Sequence, residues 1–155
     1  MSRTYLAIGM LSALLALGTA VQRGEATAQR NCDRIIRLLP EALHDLPKHA
    51  CLRRENGQVT LVAQLVVPAA RVLEVQRILI TSHNMEPLRF VCCGYETRPI
   101  TLPVPEEHPL AAGTPEGAIR SVILTLGATA IGEVGATPEP LGQSDADLTL
   151  ELVDY

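Results

Sequence analysis

The residues of this chain best suited to chemistry are four cysteines, Cys32, Cys51, Cys92 and Cys93, and four histidines, His44, His49, His83 and His108. Thiolate and imidazole together make a zinc donor set. No C-x-x-C pair occurs, however. His44 and His49 have four residues between them, a spacing zinc sites use, but Pro47 stops one continuous helix from presenting both. Thiol redox chemistry usually places C-x-x-C at a helix start, where the helix dipole lowers a thiol pKa. Here Cys92 and Cys93 are adjacent, in a stretch with strand periodicity. Hydrolysis would draw on Ser82-His83 or Ser121, yet there is no G-x-S-x-G elbow. Glu106-Glu107-His108 could make a carboxylate–imidazole acid–base site; charged loop residues more commonly stay in solvent. No catalytic residue, metal or cofactor is assigned on these grounds.

Export is the simpler account of the cysteines. Residues 1–28 have the form of a signal peptide: Arg3, then the 12-residue uncharged run Leu6–Leu17, too short to span a bilayer comfortably. Cleavage patterns end at Ala20 and Ala28, and Ala28 leaves the better polar spacer. An uncleaved anchor is the competing reading. Residues 29–155 then form a single secreted domain, periplasmic or extracellular. Four cysteines in an exported domain imply two disulfides.

Composition narrows the partner. The chain is 47% hydrophobic but 3% aromatic, with no Trp, and its net charge is -4. Few rings to stack on bases and a negative charge argue against nucleic acid. Residues 29–98 carry 10 basic and 7 acidic side chains, whereas residues 99–155 carry one basic residue, Arg120, and 9 acidic ones. The acidic half is either a solvated surface or a face for a basic protein partner. In the second case Glu106, Glu107, His108, Glu139, Asp145 and Asp147 are the candidate contacts. The partner expected is another protein; the oligomeric state is left open.

The elements that must position these residues follow from periodicity. Asn31 can cap a helix from Cys32, with Ile35, Ile36, Leu39, Leu43 and Leu46 at helical spacing. Pro40 interrupts it and can open a short helix over 41–45. Residues 50–54 read as a strand, Asn56-Gly57 as a tight hairpin turn, and Val59–Val67 as an interior returning strand. Residues 69–83 are the clearest helix, ended by Asn84. Leu88–Cys93 alternates as one strand. The prolines of 99–117 predict an irregular loop, and 127–142 another. Strands are expected over 119–126 and 148–152. The expected fold is α+β, order α-β-β-α-β-β-β: a small antiparallel sheet of about five strands with two helices packed on one face.

With Phe90 and Leu52 set on the helix-covered face, Cys92 faces the helices and Cys51 and Cys93 face away. This predicts Cys32–Cys92 and Cys51–Cys93, with Cys32–Cys93 and Cys51–Cys92 the pairing a one-residue register change would give. Each closed loop would contribute about 3–4 kcal/mol. A bond between Cys92 and Cys93 themselves is disfavoured by disulfide geometry.

Cys32, Leu46-Pro47 before Cys51, Asn56-Gly57, Val59–Val67, Val72–Ile80, Met85 and above all Leu88-Arg89-Phe90-Val91-Cys92-Cys93-Gly94-Tyr95-Glu96 resemble an uncharacterised family of small secreted bacterial proteins. That family is catalogued as a domain of unknown function and commonly has Trp where this chain has Tyr95. The resemblance covers about residues 32–98. It implies an exported, cysteine-bonded bacterial domain and supplies no activity. The functional expectation is therefore an exported, disulfide-stabilised binding protein of the bacterial envelope, of inhibitor or immunity type. The alternatives are an envelope hydrolase using His108 with Glu106 or Glu107, and a thiol- or metal-binding periplasmic protein.

Overall fold

The structure, a computed structural model, describes residue 27 and residues 29–55, 59–91, 94–111, 120–129 and 140–154. Helix α1 covers residues 29–36, and α2 is Val72–His83. The strands are β1 Lys48–Glu55, β2 Val59–Val67, β3 Arg89–Val91, β4 Gly94–Glu96, β5 Ile100–Pro103, β6 Arg120–Thr129 and β7 Ala146–Asp154. They form one antiparallel sheet in the order β1-β2-β7-β6-β4-β3, with β5 also paired to β6. The α+β class is as expected, but the sheet has seven strands rather than about five.

One face of the sheet carries the core. Leu61, Ala63, Leu65 and Val67 of β2 alternate onto it, as do Val122, Leu124, Leu126 and Ala128 of β6 and Leu148 and Leu150 of β7. Cys32, Ile35 and Ile36 of α1 and Val72, Val75 and Leu79 of α2 pack against them. Period two on the strands meets period 3.6 on the helices. Each fully buried leucine or valine contributes roughly 2 kcal/mol on burial.

The two extra strands come from sequence that reads otherwise. Leu88–Cys93 is not one strand: Val91 pairs with Gly94, and the chain reverses between β3 and β4. Ile100–Pro103 is a strand inside the expected proline-rich loop. It pairs on one side only, so Pro103 loses nothing by lacking an N–H on the other. The expected helical stretch 41–45 is a 3-10 turn over Glu41–Leu43. The turn residues Asn56 and Gly57 lie outside the described residues, although β1 and β2 pair as a hairpin would.

β4 and β5 run along the same side of β6 with a break between them. From Glu96↔Gly127 to Ile100↔Leu124 the outer strand advances four residues and β6 three, which is a bulge. Thr97, 5% exposed, fills it. Its N–H donates to the Leu126 carbonyl at 2.9 Å, and its hydroxyl accepts the Leu126 N–H at 3.1 Å. The side chain stands in for a ladder carbonyl that the bulge displaces.

The disulfide joins Cys32 to Cys51, α1 to β1. Neither Cys32–Cys92 nor Cys51–Cys93 forms, and the alternative Cys32–Cys93 with Cys51–Cys92 falls with them. The cause is strand parity. Cys51 pairs with Ala63, which is 1% exposed on the core face, so Cys51 points toward α1. Leu52 is on the outer face and 43% exposed, the reverse of the expected placement. Cys92 and Cys93 lie outside the described residues, and Cys32–Cys51 is the one disulfide among those described.

Candidate functional site at the β3–β4 edge

The stretch with the strongest sequence signature is at the rim of the sheet, not in its core. β3 is the last strand in the sheet order, and Arg89, Phe90 and Val91 are all exposed. Phe90 is the only Phe in the chain and is 46% exposed; Val91 is 48% exposed. Phe90 is on the expected face: it pairs with Tyr95, which pairs with the core-facing Ala128. It is nevertheless beyond the cover of the helices. Its ring meets Tyr95 edge-on, centroids 5.5 Å apart. That contact fixes one side of the ring and leaves the other to solvent.

Charge surrounds this apolar rim. Glu86 lies 3.2 Å from Arg89 and 3.5 Å from Arg98. Gln76 of α2 accepts the backbone N–H of Leu88 at 2.9 Å, which fixes the start of β3 against the helix. Leu88 and Met85 are buried in the core, so the edge is anchored at one end and open along Phe90 and Val91. Leu73 of α2, 55% exposed, and Leu52 of β1 are the other large apolar side chains exposed among the described residues.

The acidic candidates do not share one face. Asp145 accepts the Ala69 N–H at 2.8 Å and so caps the helical segment 69–83. Asp147 pairs with Gly127 on β6. Glu106 and Glu107 follow Val104, whose N–H donates to Arg120 at the other end of β6. Seven residues of strand separate Arg120 from Gly127, roughly 23 Å at 3.3 Å per residue. Glu139 lies outside the described residues.

The candidate acid–base groups are similarly dispersed. His108 Nδ1 accepts the Leu110 N–H at 3.3 Å, within a turn closed by Pro105 and Ala111. Burial, with Arg34 and Arg37 nearby, lowers the His108 pKa below its ordinary value, against a smaller upward pull from Glu107. That weakens it as a base. Ser82 donates its hydroxyl to Ile78 O at 2.7 Å, back along its own helix, and Ser121 is buried in β6. His83 has its pKa lowered by burial, and its Nε2 is buried without a hydrogen-bond partner. An open cavity of about 200 Å³ lies between α1 and β1, lined by Asp33, Ile36, Arg37, His44, Leu46 and Lys48. His108 is not in its lining, and Lys48 is already paired with Asp33 at 2.5 Å. His44 Nε2 is held on the Leu39 carbonyl at 2.9 Å. Among the described residues no group of three or more His, Cys, Asp or Glu is placed to hold a metal. No helix among them is long and apolar enough to cross a membrane.

The feature of this edge that periodicity missed is the exposure of Phe90 and Val91. Alternation assigns residues to faces, but not to the rim or centre of a sheet. Comparison with family models, curated proteins and solved structures finds no match to this chain.

Proposed function

We propose that this chain is an exported, disulfide-stabilised binding protein of the bacterial envelope, of inhibitor or immunity type, which contacts a protein partner through the β3–β4 edge. The observation that carries this reading is the solvent exposure of Phe90 and Val91 on an edge strand that is anchored by buried Leu88 and braced by Tyr95. Apolar side chains ordered at a rim and ringed by charge match the anatomy of a binding surface. The Cys32–Cys51 bond and the sequence of residues 1–28 support export, to the periplasm or beyond the cell. A scaffold of seven strands and two helices among the described residues, tied by that bond, supports a rigid edge.

Photo-crosslinking tests the reading. A crosslinking amino acid is placed at position 90, and at position 73 as an exposed control, in the exported protein. A discrete adduct from 90 and none from 73 is expected. Equal labelling from both positions, or none from 90, would remove the assignment of this edge.

A further inference from the structure

We propose that the open cavity between α1 and β1 binds a small aliphatic carboxylate, held by the guanidinium of Arg37 over a floor of Ile36 and Leu46. β1 and β3 are the two ends of the sheet order, so this site is separate from the β3–β4 edge.

The cation comes first. Asp33 and Arg37 are four residues apart where α1 ends, the spacing at which opposite charges pair on a helix. They do not pair. The Asp33 carboxylate instead takes Lys48 of β1, across the cavity, at 2.5 Å. That leaves the Arg37 guanidinium with no hydrogen bond or ion pair among the described residues. The acids of the following turn do not take the place of Asp33. Asp45 is bound through both oxygens to Arg71. Extended Pro40, ψ 141°, separates Glu41 from Arg37, and no ion pair joins the two among the described residues. The charged side chains of the lining are Arg37, Lys48 and Asp33, which leaves one positive charge in excess.

The walls are fixed. The Cys32–Cys51 bond ties α1 to β1 beside the cavity, next to Asp33 on one side and close after Lys48 on the other. The Pro47 carbonyl accepts the Val66 N–H at 2.8 Å, which holds the chain between Leu46 and Lys48 onto β2. His44 gives its Nε2–H to the Leu39 carbonyl at 2.9 Å, because a carbonyl only accepts. A site formed in advance loses less affinity to ordering.

Shape and chemistry select the ligand. A guanidinium fork meets a carboxylate through two parallel hydrogen bonds. Ile36 and Leu46 face the cavity with apolar surface alone. Its volume is about 200 Å³, and a cavity of roughly 150 Å³ accepts a molecule the size of benzene. A carboxylate on a short branched chain fills this space, with its charge at Arg37 and its methyl groups on Ile36 and Leu46. So small a ligand binds with a Kd on the order of millimolar.

The test uses the disulfide-bonded protein and three probes: isovalerate, its uncharged amide isovaleramide, and inorganic phosphate. NMR follows the methyl signals of Ile36 and Leu46, with those of exposed Leu73 as the control. Isovalerate is expected to shift the first two saturably and to leave Leu73 in place. Arg37→Gln should weaken isovalerate roughly tenfold, through loss of a charged hydrogen-bonding group. Arg34→Gln removes an equal charge from α1 outside the lining, where Asn31 holds the guanidinium at 3.3 Å, and should leave the Kd unchanged. If the two substitutions act alike, Arg37 is not the contact and the assignment is overturned. Equal affinity for isovaleramide overturns recognition of the carboxylate, and equal affinity for phosphate overturns the apolar floor. If isovalerate shifts neither Ile36 nor Leu46, the site itself is overturned.

Discussion

Asp145 accepts the backbone N–H of Ala69 at 2.8 Å, across 76 residues of sequence. An acidic side chain counted in the sequence among the candidate partner contacts closes the start of the helical segment leading into α2. Neither Pro68 nor Arg71 caps that segment with a side-chain hydrogen bond, so the bond comes from the approach to β7. Asp145→Ala is expected to cost about 1 kcal/mol in urea unfolding, and Asp145→Asn much less, since both Asp and Asn serve as caps. Crosslinking from position 90 should be unaffected.

The Thr97 hydroxyl makes a second prediction. Thr97→Val keeps the shape but strands the buried N–H of Leu126, which now bonds Oγ1 at 3.1 Å. An unsatisfied buried donor costs about 1–3 kcal/mol. Thr97→Ser restores the acceptor and should recover most of that loss in the same unfolding measurement. If valine and serine behave alike, the hydroxyl has no ladder role.

Mapping the disulfide is the third. Proteolysis without reduction should release one peptide pair joining Cys32 to Cys51. The double substitution Cys32→Ala, Cys51→Ala should lower stability by about 3 kcal/mol, the chain-entropy value for a loop of this length.

Acid stability follows from two histidines. Burial lowers the His83 pKa, and burial with Arg34 and Arg37 lowers that of His108, both from an ordinary 6.5. The unfolded chain therefore takes up protons at higher pH than the folded one. Stability is full above about pH 6.5, is lost as pH falls below it, and levels off below the folded pKa values. Urea midpoints measured from pH 8 down to pH 5 should fall, and His83→Gln with His108→Gln should flatten that slope.

Much of this fold is legible in the sequence where periodicity is long. β2, α2 and β7 each repeat an apolar pattern over many residues, and each lies close to where that pattern predicts it. Asn84 ends α2 in the left-handed conformation, φ 54°, which asparagine tolerates. Short segments are less determinate. In β1 the pair Cys51 and Leu52 offers two apolar choices for the core, and the bond to α1 selects the smaller. In Leu88–Glu96 the alternation continues across a chain reversal, so a hairpin reads as one strand. β5 is hidden by Pro99 and Pro103, because a strand paired on one side does not need every N–H. The rim position of Phe90 depends on strand order, which no local pattern encodes.

The central claim is that Phe90 and Val91 face solvent for a partner and not for the fold. The most direct measurement takes the Phe90→Ser, Val91→Ser protein with a crosslinking residue at exposed position 98 and compares its partner adduct and its unfolding free energy with those of the unsubstituted edge. Losing the Tyr95 contact should cost only about 1 kcal/mol, and the adduct should disappear. Unfolding made easier by about 3 kcal/mol or more, or an adduct that persists, would contradict the account.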